Sequence, residues 1–227
     1  MGSISIFIEE GKKKTFVGAC DWPGWCRSGK DSESALQNFL EYSPRYNQLM
    51  QIAGLDFDPP LLLGELEVLD RVEGNATTSF GAPAVILESD HHPADENDYH
   101  RWRKILAGCW QSFDTSYQNA LGKELQKGPR GGGRDAESIL NHIIEADLAY
   151  LKRMAWNYRR SLDNDLITDL KEIREQILAI LIAAENNALL GKGPRGGIVW
   201  PVRFFIRRVT WHTLDHLWEI EDRVIKS

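Results

Sequence analysis

The sequence predicts an α+β N-terminal segment followed by an all-α one, and three observations predict it. Two short runs, Ile4 to Ile8 and Thr15 to Ala19, carry β-type apolar patterning on either side of the polar turn Glu9-Glu10-Gly11-Lys12-Lys13, as a hairpin does. Beyond Asp90 that alternation disappears, and four long segments carry apolar residues at spacings of three and four. Gly/Pro-rich or Asp-rich breaks separate those segments, as helix ends require.

Taken in order, the hairpin leads into Asp21-Trp22-Pro23-Gly24, a turn in which Pro presets φ and Gly accepts a positive one. A third short strand is expected from Trp25 to Ser28. Asp31 or Ser32 caps a helix with Glu33 in its first turn and Ala35, Leu36, Phe39, Leu40 and Tyr46 on one face. Pro59-Pro60 closes that region. Leu63 to Val72 and Ala84 to Leu87 read as two further strands. The four helical segments run from Ala94 to about Gln126, Arg134 or Asp135 to about Tyr158, Leu166 or Asp169 to about Leu190, and Val202 to about Val224. Four helices of that length suggest a four-helix bundle. The boundary is expected near Ser89 to Pro93, giving domains 1–90 and 91–227.

Composition narrows the function classes. With 227 residues, 42% hydrophobic and 26% charged, the chain can bury a core and is neither disordered nor collagen-like. Its longest apolar stretch, Ile177 to Ala184, falls far short of the roughly 18 residues of a membrane span, so no membrane partner is expected. The net charge of −6 disfavours nucleic acid, although Arg203, Arg207 and Arg208 form one basic cluster. Cys20, Cys26 and Cys109 are an odd set without a CxxC pair, which argues against a disulfide framework or a thiolate zinc cluster. Met1-Gly2-Ser3-Ile4 carries no export or myristoylation signal, and a cytoplasmic protein is expected.

One motif repeats: Lys127-Gly128-Pro129-Arg130-Gly131-Gly132 precedes the second long helix, and Lys192-Gly193-Pro194-Arg195-Gly196-Gly197 precedes the fourth. Either each is a helix-hairpin connector, or each is a backbone anion nest reinforced by Arg130 and Arg195, which would bind a cosubstrate carboxylate. The repetition implies two similar helical hairpins, with the second and fourth helices in equivalent positions. His142 stands on the second. His212 and His216 stand four apart on the fourth, so both project from one helical face, as two ligands of one ion must. Either the three imidazoles meet as a metal site with an open position, or each is a core histidine satisfied by its own hydrogen bond. His91, His92 and His100 read as exposed residues near the junction. Trp102, Trp110, Trp156, Trp211 and Trp218 read as core or interface residues, and Trp211 as a candidate wall of a metal pocket.

The segments Leu140-Asn141-His142-Ile143-Ile144-Glu145-Ala146-Asp147 and Arg208 to Arg223, with His212-Thr213-Leu214-Asp215-His216 at its centre, resemble the two histidine motifs of the DinB/YfiT superfamily over residues 94–227. That resemblance implies a four-helix bundle, often a homodimer, with a divalent ion on His142, His212 and His216. It also implies thiol-dependent chemistry on a small-molecule substrate: S-transferase or isomerase activity with a low-molecular-weight thiol as cosubstrate. Zinc or nickel is the expected metal. Glu145, one turn after His142, is the candidate general base or acceptor for an imidazole N–H. Asp215 and Glu219 are weaker candidates for that orienting role, Arg203 is a further carboxylate partner, and Asp147 and Glu221 read as solvated helix-face acids. The segment from Ile4 through Asp21-Trp22-Pro23-Gly24-Trp25 to Leu36 resembles the HicB-type β-β-β-α fold, which implies a cover, dimerisation or regulatory module. Two other functions stay open: a metal-hydroxide hydrolase with the same ligands, and a non-enzymatic stress-response or toxin-antitoxin-like binding protein.

Overall fold

A computed structural model describes residues 3–127, 133–189, 192–193 and 197–225. The chain is α+β: a four-stranded mixed sheet at the N-terminal end, followed by helices. Strands β1 (Ile4–Glu10) and β2 (Thr15–Ala19) form the expected hairpin, with Ile8 opposite Val17, and β3 (Cys26–Gly29) continues the antiparallel meander beside β2. The fourth strand, β4 (Leu66–Glu73), lies parallel to β1 and gives the order β3-β2-β1-β4. A parallel neighbour needs a crossover connection. Helices α1 (Ser32–Glu41) and α2 (Ser43–Ile52) supply it.

Asp31 caps α1 by accepting the Ser34 N–H at 2.9 Å, in a capping box with the Ser34 side chain. The single helix expected through Tyr46 is two helices broken at Tyr42. Pro44 sits in the first turn of α2, where its missing N–H costs no helical bond. Against the sheet these helices bury one aromatic stack. Trp25 donates its indole N–H to the Phe39 carbonyl at 3.0 Å and stacks on Phe39 and Tyr46 at 3.9 and 5.4 Å, while the Tyr46 hydroxyl donates to the Pro23 carbonyl at 2.9 Å. Gly18 admits Phe7: a Cβ there would stand 2.4 Å from the Phe7 ring.

Residues Ala84 to Leu87 are not a strand, contrary to expectation. Their N–H groups are claimed by carboxylates instead of a neighbouring strand. Glu9, fully buried on β1, accepts from the Ala84 N–H at 2.8 Å, the Val85 N–H at 3.2 Å and the Thr78 hydroxyl of α3 (Ala76–Phe80), and Asp90 accepts from the Leu87 N–H at 2.8 Å. The expected strand at Leu63 to Val72 begins only at Leu66. Before it, a 3-10 turn at Leu63–Glu65 is closed by the Glu65 carboxylate, which accepts the N–H groups of Leu61 and Leu62 at 2.7 and 2.8 Å.

The four expected long helices are present as α4 (Glu96–Ala120), α5 (Ala136–Arg153), α6 (Leu166–Glu185) and α7 (Val202–Arg223). Asp135 and Asp165 cap α5 and α6 by accepting from Ser138 and Thr168, each at 2.7 Å. The chain divides into two compact units, Met1–Cys109 with Pro201–Trp211, and Trp110–Trp200 with His212–Ser227. The expected boundary at 90/91 therefore falls inside the first unit, because α4 and α7 each contribute residues to both. Within the first unit Arg207 of α7 makes a buried bidentate pair with Asp90, at 2.9 and 2.6 Å. The core of the second unit holds Phe113, Ile139, Leu140, Ile143, Ile144, Ile173, Ile177, Ile180, Leu214 and Leu217. Among the described residues no helix is long and apolar enough to cross a membrane.

Candidate metal centre

The second unit brings His142, His212 and His216 together. On α5 the apolar residues Ile139, Ile143 and Ile144 are buried, and His142 stands at the margin of that face, half-buried. On α7 the four-residue spacing sets His212 and His216 on one side, 6% and 7% exposed. Their ring centroids are 4.7 Å apart, and each lies 5.0 Å from the His142 ring. One ring nitrogen from each of the three lies within 4.8 Å of the other two. Nε2 of His142 and Nε2 of His212 are 3.3 Å apart. Two nitrogens each bound at about 2.0–2.1 Å to one tetrahedral ion stand roughly 3.3–3.4 Å apart, so this pair already has the required separation.

Protonation suits the same use. Burial, then the neighbouring His216 imidazole and the Arg134 guanidinium, hold His142 down to about 4, so its lone pair is available at neutral pH. His216 Nδ1 is bound to the Glu219 carboxylate at 2.7 Å, which places the proton on Nδ1 and leaves Nε2 as the donor atom. The hydrogen bond from His216, supported by Arg223, holds Glu219 below the usual carboxylate range. Arg223 in turn donates to Glu219 and to the backbone carbonyls of Arg134 at 2.8 Å and Gln126 at 2.9 Å. His216, Glu219 and Arg223 thus form one braced row along α7. The Tyr150 ring flanks the site, 5.9 Å from His212 and 5.5 Å from Trp200.

The other candidates fall elsewhere. The carboxylate that meets an imidazole is that of Glu219; Glu145 is more than half exposed and pairs with Arg160 at 3.1 Å. Arg130 and Arg195, the candidate cosubstrate anchors, lie outside the described residues. Arg203 is engaged within the first unit by Asp98 and by the carbonyls of His92 and Pro93. Trp211 belongs to the first unit, where it packs edge-on to Phe16 at 6.0 Å. His91, His92 and His100 are exposed, as expected. Asp147, read as a solvated acid, is instead 2% exposed: it falls one turn after Ile143 on the buried face of α5. Burial pushes its carboxyl up to about 8, an effect Arg174 offsets only in part.

Comparison with known proteins adds no assignment: the chain matches no family model, no curated protein and no solved structure.

Proposed function

We propose that His142, His212 and His216 hold one divalent ion, zinc or nickel, and that the chain is a metal-dependent transferase or isomerase of the DinB-like type in which a small thiol attacks an electrophilic substrate. The observation that carries the reading is the convergence of three imidazole nitrogens within 4.8 Å, two of them 3.3 Å apart. A divalent ion bound there, with only three protein ligands, would lower the pKa of a thiol or water in its open position toward neutrality. The chain's own part is positional. His142 stays uncharged, Glu219 fixes the His216 tautomer, Arg223 fixes Glu219, and Tyr150 closes the side next to His212. On this reading α4 to α7 are a DinB-like four-helix bundle, and the sheet segment is a HicB-like module serving as a cover or regulatory element.

The test is metal analysis of the purified chain beside His142→Ala, His212→Ala and His216→Ala, followed by incubation of the metal-loaded protein with several thiols and monochlorobimane. One metal per chain in the parent and none in the variants, with thiol-dependent turnover, is expected. Stoichiometric metal in all three variants would overturn the site. Turnover without thiol would keep the metal and give the nucleophile's role to water.

A further inference from the structure

We propose that the seam between α4 and α6 is a second binding site, which takes a small uncharged molecule with an apolar body and a single hydroxyl group. The proposal does not rest on the metal reading. Between them the two helices leave a concave space of about 410 Å³, within the roughly 300–1,000 Å³ of small-molecule pockets. Its walls lie within the second unit, and none of its lining residues belongs to the histidine site.

The apolar side of that space follows from the period of α6. Ile167, Leu170 and Leu178 stand on one stripe of the helix, separated by steps of three and eight, with Arg174 between the two leucines. Leu170 is buried, Leu178 is partly buried and Ile167 is 50% exposed. Water against such walls finds few partners, so an apolar body that displaces it is bound favourably.

Charge and hydrogen bonding choose the rest of the ligand. Arg174 gives its two terminal nitrogens to the Asp114 carboxylate at 2.8 Å each, and its Nε is enclosed without an acceptor, so this pair offers a charged guest nothing. Lys171 and Glu175 line the same space one turn apart on α6, exposed and opposite in sign, and cancel. An anion or a cation entering there would lose hydration without compensation. The buried polar side chain left to read a ligand is Tyr117. It lines the space, is 7% exposed, stacks on Phe113 at 6.2 Å, and its hydroxyl makes no hydrogen bond among the described residues. Burial, with Glu137 and Asp135 adding to it, raises that hydroxyl above its ordinary value, so it stays protonated and donates. A ligand hydroxyl meets it as acceptor or donor.

The test is titration of the full chain, followed by amide nitrogen–proton correlation NMR, with probes that share one body: 2-phenylethanol, phenylacetate, 2-phenylethylamine and ethylbenzene. 2-Phenylethanol is expected to shift the amides of residues 114–118 and 167–178, and phenylacetate and 2-phenylethylamine to bind there about tenfold more weakly or worse. Tyr117→Phe keeps the ring and removes the hydroxyl. It should weaken 2-phenylethanol by about two- to tenfold, the worth of one hydrogen bond, and leave ethylbenzene unchanged. Leu178→Trp, shown folded by the dispersion of the same spectra, fills the space and should abolish binding of both. No shift at those amides, charged probes that bind as tightly as the alcohol, full affinity for 2-phenylethanol in Tyr117→Phe, or undiminished binding in Leu178→Trp would each overturn the proposal.

Discussion

The carboxylate of Glu219 holds Nδ1 of His216 at 2.7 Å, one helical turn along α7, and so decides which nitrogen of that ring is left to bind. A partner of this kind sets the tautomer and orientation of a ligating imidazole, and its loss ordinarily costs about 10–100-fold in metal affinity. Glu219→Gln is therefore expected to weaken the metal by that factor while the triad itself stays intact, measured by chelator competition. Glu145→Gln, which removes only the partner of Arg160, leaves the affinity unchanged. Equal losses in the two variants would assign Glu219 no orienting role.

His142 makes the stability of chelator-treated protein depend on pH. Its folded value is about 4 against an ordinary 6.5, so in that window the unfolded chain binds a proton that the folded chain refuses. Where the unfolded state binds more protons, stability rises with pH. Urea midpoints should fall as pH drops from about 6.5 toward about 4, and His142→Gln should flatten that fall. An equally steep fall in the variant would locate the effect elsewhere.

Glu9 is a structural acid. It is fully buried on β1, and its carboxylate receives the N–H groups of Ala84 and Val85 and the hydroxyl of Thr78. Glu9→Leu keeps strand propensity but takes the acceptor from three donors, the half-buried N–H groups of Ala84 and Val85 and the buried Thr78 hydroxyl; a buried donor left without an acceptor costs about 1–3 kcal/mol. A loss of about 2–4 kcal/mol in urea unfolding is expected. Amide exchange should rise first at residues 82–87, and uniform exchange across the unit would contradict that assignment.

What was legible in the sequence follows the range of the signal. The hairpin, the Asp31 cap and the four long helices depend on period and on neighbours a few residues away, and each is found in its expected place, although α4, α5 and α6 end five or six residues before the expected Gln126, Tyr158 and Leu190. The pairing of β4 with β1 joins residues some sixty positions apart, and no local pattern announces it. The segment at Ala84 to Leu87 has strand composition, yet its donors go to Glu9 and Asp90, which local patterning does not reveal. At the site, the four-residue spacing exposes His212 and His216, but the sequence ranks Glu145 ahead of Glu219 on a spacing the two share: Glu145 follows His142 by three, as Glu219 follows His216. Cations decide it, Arg160 drawing Glu145 away and Arg223 bracing Glu219.

Asp147 is a carboxyl on the buried face of α5, 2% exposed, with Oδ1 making no hydrogen bond. Burial raises its value from 3.8 to about 8, with Arg174 pulling the other way. Between those values the folded chain keeps a proton that the unfolded chain releases, so stability must decline as pH rises from about 4 to about 8 and then level off. This slope is opposite in sign to that from His142, and the two overlap only in the acid part of the range. Asp147→Asn keeps the shape and removes the charge, and with it the cost of holding the proton at neutral pH. The variant should be more stable than the parent at pH 7 by a few kcal/mol and match it more closely near pH 4, read from thermal unfolding across the series. A variant less stable at pH 7 would show instead that the ionised carboxylate, paired with Arg174, is the form the fold requires.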